Sequence, residues 1–470
     1  MTSNTSPRNS QTRRARHNYR VWNALLSPLV PALGAYTLWR RYGQKKSAAS
    51  LRGQWGNVPD EVVRALQNDL SSTRIWIHAV SVGETLASRP VARALRQEIP
   101  NCVIVLSTTT DAGQETARAA HRAGDVDAVF YFPLDIPFSV NRVLKAVRPH
   151  AFLTMETELW PNFLHLAKSS GAQTFLVNGR VSDNLLRRAP KMGHLWRWMM
   201  SNLDGLLMRT ESDAARIGSL GAQKSRVFVT GDVKLDAMNE IENLGELRAH
   251  WRRVLDVADD VPFVVAGSTH AGEDEQIVAA FQTLRRDFPD ARLLVAPRHI
   301  ERAPEVVQAI GAAGLQARLR SANASESSAV IILDSVGELS QIYAAADVAF
   351  VGGSLITRGG HNVLEPVLCD VPVAFGPHID NFRDAAALVE RAEVGQKVDD
   401  AKQLAELWAR WLRDENWRKN VAARAENVLR EHRGASLRVA QIVAQSLRES
   451  DIEYSNVAAT SVEMSKEATL

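Results

Sequence analysis

RIWIHAVSVGETLASRPVARALRQEIPNCVIVLST, residues 74–108, decides the fold. Its opening, RIWIHAV (74–80), and its close, CVIVLST (102–108), are β-rich apolar runs. Neither shows the strict alternation of a strand that is wet on one face. The stretch between them spaces its apolar residues as an amphipathic helix does. A strand buried on both faces, a helix and a second such strand predict a parallel sheet covered on both sides.

The same unit recurs along the rest of the chain. AVFYFPL (128–134), AFLTM (151–155), TFLVN (174–178) and GLLMR (205–209) read as further buried strands with helices between them. A charged helical stretch follows, from about Asp236 to Asp256. The pattern then restarts with FVVAGST (263–269), RLLVAPR (292–298), AVIILD (329–334), VAFVGGS (348–354) and VPVAFGP (371–377). The fold class is α/β, with two successive doubly wound, Rossmann-like domains. The first is assigned to residues 50–235. The second is assigned to 236–448 and closed by amphipathic helices. Residues 449–470 lack apolar periodicity and are predicted to be disordered.

The N-terminus differs. Arg8, Arg13, Arg14, Arg16 and Arg20 crowd a tail, residues 1–20, that holds no acidic residue. The segment 21–42 follows, and Val21–Trp39 within it is uncharged. Pro28 and Pro31 interrupt this segment. Trp22, Leu25, Leu26, Leu29, Leu33 and Tyr36 fall on one helical face. That stripe predicts a helix lying in a membrane interface rather than one spanning the bilayer, with the basic tail meeting anionic lipid.

With 470 residues the chain can build two cores without staples. A net charge of +3 speaks against a general nucleic-acid binder. Two distant cysteines, Cys102 and Cys369, offer neither a disulfide framework nor a zinc site. No Walker A, GxGxxG or HExxH motif occurs. Asp125-Val126-Asp127 could hold a metal–nucleotide pair, but its place between a helix and a strand reads as a solvated turn.

Carboxylates mark the strand ends of the first domain. Glu84 follows the strand 74–80 at a helix start, where the ligand crevice of a parallel sheet opens. Two readings stand for it: a general base, or a residue that complements the helix dipole and is weakened as a base by doing so. Glu156 and Glu158 follow the strand 151–155, as functional groups or as partners of an arginine such as Arg180. The second domain offers Pro297-Arg298-His299, then Asp334 to Leu339. Gly352-Gly353-Ser354 and Gly359-Gly360-His361-Asn362 follow, and Glu365 is placed one turn into the next helix to reach a ribose. Backbone amides at such loops bind phosphate, so this half reads as a nucleotide site.

HAVSVGET, METELWPN, LVNGRVS, GDVKLD, STHAGE, PRHIER, DSVGEL and VGGSLITRGGHNVLEP stand in this order. Together they resemble the 3-deoxy-D-manno-octulosonic acid (Kdo) transferases of lipopolysaccharide synthesis, over roughly residues 20–430. The resemblance implies a GT-B fold and an inverting, metal-independent transfer with no cofactor. The donor would be CMP-Kdo and the acceptor a lipid A precursor (lipid IVA) at the cytoplasmic face of the inner membrane. It implies Glu84 as base and Glu156 and Lys234 as transition-state stabilisers. It also implies CMP contacts at Pro297, Arg298, Val336, Gly337, Glu338, Asn362, Val363, Leu364 and Glu365. The segment Leu51–Gly56 departs from the family's ERxG form. The rival readings are another GT-B enzyme, such as a nucleotide-sugar 2-epimerase, and a non-catalytic lipid-surface binding protein.

Overall fold

The computed structural model describes residues 17–24, 26–29, 48–67, 71–237, 243–322 and 328–450. The chain forms two compact units, Met1–Ala237 with His432–Leu470, and Met238–Glu431.

The first unit is a parallel sheet of β1 (Thr73–His78), β2 (Cys102–Thr108), β3 (Ala128–Tyr131), β4 (Ala151–Met155), β5 (Gln173–Gly179), β6 (Gly205–Met208) and β7 (Val227–Val229). Its order is β3-β2-β1-β4-β5-β6-β7, so the winding reverses between β1 and β4. The helix Val82–Glu98, which follows β1, buries Val91 and Leu95 on one face of the sheet. The helix Pro161–Ser169, which follows β4, buries Phe163 and Leu164 on the other. Trp76 anchors that second face. Its ring packs edge-on to Phe163 at 4.8 Å, and its indole N–H donates to Ser107 at 2.7 Å.

The second unit repeats the plan with β8 (Phe263–Thr269), β9 (Arg292–Pro297), β10 (Ala317–Leu319), β11 (Val330–Ile332), β12 (Val348–Val351), β13 (Val373–Phe375) and β14 (Gly395–Lys397). The order is β10-β11-β9-β8-β12-β13-β14, with the reversal between β8 and β12. Arg252 is buried here. It donates to the Asp347 carboxylate at 2.8 Å and to the carbonyl of Ala345 at 3.0 Å, tying its helix to the segment that enters β12.

The sequence reading needs correction in three places. β7, β10 and β14 were not foreseen; each has only three residues. The helix over residues 435–450 belongs to the first unit, not to the second. There Ala435, Val439, Ala440 and Val443 complete the face formed by Ile77, Leu106 and Leu153. Asp236 caps this helix, accepting from the amides of Gly434 (2.8 Å) and Ser436 (2.6 Å). Finally, residues 17–20, assigned to the tail, are helical and continuous with 21–24.

Most of the expected anchor, residues 25 and 30–42, lies outside the described residues, as do residues 1–16 and 451–470. The described part packs on the first unit. The Asn23 side chain donates to Asn162 at 2.9 Å, and the Tyr19 ring lies 4.6 Å from that of His165. Among the described residues no helix is long and apolar enough to cross a membrane. The segment Leu51–Gly56 packs closely: a Cβ on Gly53 would lie 2.7 Å from that of Tyr131, which glycine alone avoids.

Asp236→Ala should remove the cap of the closing helix and cost about 0.5–2 kcal/mol. Thermal unfolding followed by circular dichroism should show a lowered Tm, restored toward the parent by Asp236→Asn.

Candidate functional site

Each unit gathers its polar side chains where its winding reverses, at the carboxyl ends of the strands. In such a place neighbouring loops diverge and leave a crevice.

In the first unit Ser81 caps the helix that follows β1, accepting from the Glu84 amide at 3.4 Å. Glu84 folds back over this turn. One carboxylate oxygen accepts from the Val80 amide at 2.8 Å and the other from the Ser81 hydroxyl at 2.9 Å. The dipole-complementing contacts are thus real. The expected loss of basicity is not: burial outweighs the Val80 and Ser81 hydrogen bonds, with Glu156 adding to it, and Glu84 is a stronger base than an exposed glutamate. Glu158 is raised too, chiefly by burial and then by Glu84 and Glu156.

Glu156 sits at φ 55 at the end of β4, a left-handed conformation uncommon for a residue with a side chain. Its carboxylate pairs with the Lys234 ammonium at 2.5 Å, and Arg180 is not its partner. Lys234 is placed by a chain of local contacts. Asn178, at the end of β5, accepts from the Val233 amide at 3.1 Å, and Asp232 accepts from the Lys234 amide at 3.0 Å. The structure thus brings together three glutamates and one lysine from β1, β4 and the turn after β7. The group can take up a proton and stabilise an adjacent charge.

Asp125 and Asp127 are not a solvated turn. Asp125 is buried and takes Arg89 at 2.5 Å, while Asp127 takes Arg96 at 2.8 Å and the Ile104 amide at 2.7 Å. Among the described residues no group of three or more His, Cys, Asp or Glu side chains is arranged to hold a metal ion.

In the second unit the glycine loop after β12 is already filled. Glu273, fully buried, accepts from the amides of Gly353 (2.6 Å), Ser354 (2.9 Å), Leu355 (2.9 Å) and His270 (3.0 Å). Burial raises its carboxyl and the four amides pull it back. These amides serve an internal carboxylate rather than a ligand phosphate, contrary to the expectation for Gly352–Ser354. STHAGE contains this glutamate, and a charge directly after a buried strand and a glycine turn was the signal for it.

Pro297 is buried at the end of β9, and Arg298 beside it is exposed. Val336 is exposed and Gly337 is left-handed, at φ 91. Glu338 is drawn to Arg320 at 3.3 Å. Asn362 accepts from the Leu364 amide at 3.2 Å. The Val363 and Leu364 side chains are buried, so only their backbones can meet a ligand. Glu365 does not lie one turn into a long helix. It is the second residue of a four-residue helix, Leu364–Val367. Burial, opposed by Arg298, pushes its carboxyl up to about 7.

The sequence profile described as "3-Deoxy-D-manno-octulosonic-acid transferase (kdotransferase)" matches residues 40–237. The Haemophilus influenzae 3-deoxy-D-manno-octulosonic acid transferase is 35% identical over 375 residues, covering 78% of this chain and 86% of that protein. The chain belongs to the Kdo transferase family. The Bordetella pertussis Kdo transferase is 33% identical over 434 residues, 89% of this chain and 97% of its own length. Among solved structures, a glycosyltransferase from Rickettsia africae superposes with a TM-score of 0.58 at 12% identity, covering 80% of this chain and 99% of that one. The UDP-GlcNAc 2-epimerase from Neisseria meningitidis gives a TM-score of 0.57 at 14% identity, covering 80% and 100%. The fold is GT-B. The glutamate–lysine group and its supporting strands lie inside the matched region.

The raised Glu365 carboxyl gives a pH signature. The folded protein keeps a proton there that the unfolded chain sheds near its ordinary 4.5. The neutral carboxyl is therefore fully accommodated below that pH, and the associated stability is lost as pH rises through about 7. Glu365→Gln should raise Tm only slightly at pH 5 and by several degrees more at pH 8, measured by scanning calorimetry.

Proposed function

We propose that the chain transfers Kdo from CMP-Kdo to a hydroxyl of a lipid A precursor, with inversion at the anomeric carbon and without a metal. The observation that carries this reading is the Glu84–Glu156–Lys234 group at the winding reversal of the first unit.

In the proposed reaction the acceptor oxygen attacks the anomeric carbon while the bond from that carbon to the CMP phosphate oxygen breaks. Glu84 takes the hydroxyl proton. Its raised basicity suits that task, and Val80 and Ser81 hold the carboxylate in one orientation. Lys234 neutralises Glu156 beside it, so Glu84 faces a paired glutamate rather than a second free anion. In the second unit, Arg298 stabilises the phosphate that leaves as CMP, and Glu365 accepts from the ribose hydroxyls.

A lipid acceptor is supported by where the first unit exposes apolar side chains. Val82 and Leu86 follow β1, Phe138 opens the helix after β3, and Met192 follows the helix after β5. These sit at the same end of the sheet as Glu84. Val21, also exposed, rides on the N-terminal helical segment that docks at the helix after β4. An apolar rim around a polar centre suits a lipid held at a membrane surface. We place the protein at the cytoplasmic face of the inner membrane, with the basic tail against anionic lipid.

Incubation with CMP-Kdo and the tetraacyl lipid A precursor, followed by mass spectrometry of the lipid, should show added Kdo. A lipid of unchanged mass would reject the reading. A 2-epimerase would instead interconvert a UDP-sugar and leave the lipid alone. Glu84→Gln should lower turnover by about 10²-fold or more while CMP affinity stays unchanged. Full activity in excess EDTA is also expected, and loss of activity that Mg²⁺ restores would remove metal independence from the reading.

A further inference from the structure

The loops after β8 and β12 bring two imidazoles together. His270 Nε2 lies 2.9 Å from His361 Nε2, and the rings are nearly parallel, 4° apart in tilt. His299 stands edge-on to His270, with ring centroids 6.1 Å apart. The pair is built in rather than accidental. Both rings lie over Gly353, where a Cβ would come within 3.0 Å of His361 and 3.4 Å of His270. Gly353 and the His270 amide are in turn fixed by Glu273.

A contact of 2.9 Å between two Nε2 atoms admits only one hydrogen. One ring donates and the other accepts, so the accepting ring carries its own hydrogen at Nδ1. Two charged rings would set N–H against N–H, which limits the pair to one positive charge. Neither Nδ1 has a partner among the described residues.

The surroundings favour the neutral form of the pair. Burial, then Arg298, His270 and His299, lower His361 to about 4. Burial, then Arg358, His299, Arg302 and Arg298, lower His270. Of these arginines Arg302 is paired, with Asp274 and Glu305. Arg298 and Arg358 are exposed and form no ion pair among the described residues. Of the acids close by, Glu273 is taken up by the loop amides, and burial holds up the Glu365 carboxyl although the Arg298 charge opposes it.

We propose that the His270–His361 pair, flanked by Arg298 and Arg358, recognises the carboxylate of the transferred sugar acid, an inference that rests on the donor assigned above. On this loop the residues assigned to CMP begin at Asn362, the neighbour of His361, and none of them is assigned to the sugar. A 2-ulosonic acid differs from a neutral sugar by its carboxylate. A carboxylate arriving among these cations supplies the missing negative charge, so the pair takes up one proton. That proton is shared between the two Nε2 atoms and leaves an N–H at both Nδ1 positions as donors. An enzyme that selects a sugar acid by this means binds it together with a proton.

Isothermal titration of the full chain with CMP and with CMP-Kdo, in two buffers of different ionisation enthalpy near pH 7.5, tests this. CMP-Kdo should bind with uptake of a proton and CMP with little or none. His361→Gln and His270→Gln should each keep CMP affinity and Tm close to the parent. Both should weaken CMP-Kdo about 10- to 150-fold, the value of one charge-assisted hydrogen bond, and abolish the proton uptake. Equal weakening of CMP and CMP-Kdo would put the pair on the phosphate and overturn the inference. So would unchanged CMP-Kdo affinity, or binding without proton uptake in the parent. Failure of the parent to bind CMP at all would instead reject the donor reading itself.

Discussion

Where a parallel sheet changes its direction of winding, two adjacent strands send their loops to opposite faces, and nothing in the backbone fills the gap between them. Both units are organised by this constraint. β1 and β4 diverge in one and β8 and β12 in the other, and each gap holds the polar groups that the cores exclude. Glu84, Glu156 and Lys234 occupy the first, and Glu273, His270 and His361 the second. The chemistry sits there because only there can carboxylates and imidazoles be half-buried and still reach a ligand.

The two gaps manage charge in different ways. In the first, Glu156 takes the lysine, and burial, with the neighbouring carboxylates adding to it, raises the proton affinity of Glu84 and Glu158. In the second, Glu273 is saturated by four backbone amides, while the exposed Arg298 and Arg358 form no ion pair among the described residues. One unit thus holds protons and the other attracts anions. A reaction that removes a proton from an acceptor and releases an anionic nucleotide needs one of each.

Much of this was legible in the sequence. Long apolar runs gave the central strands because burial on both faces leaves no polar alternation to confuse them. Glu84, Glu156, Arg298 and Glu365 stood out as charges at the ends of such runs. β7, β10 and β14 did not, since edge strands of three residues carry too little pattern to separate from loops. Glu273 was hidden for another reason. Three of its four amide partners lie about eighty residues away, and backbone donors leave no mark in side-chain identity. Lys234 with Glu156, and His270 with His361, are likewise tertiary pairs; each residue was visible, but the distance between them was not. The helix at 435–450 was misassigned because amphipathicity says that a face will be buried without saying against what.

The return of that helix has a temporal side. The second unit is inserted within the first, between Ala237 and His432. During synthesis the first seven strands emerge early, and the helix Val82–Glu98 covers part of one face of their sheet, yet the rest of that face waits until Val439 and Val443 are made. The inserted unit, continuous in sequence, is complete before then. A nascent chain therefore carries a partly open apolar face through the whole translation of its second half. The side chains of Ile77, Leu106 and Leu153, which end up sealed, spend that interval as a surface that chaperones or the membrane itself must shield.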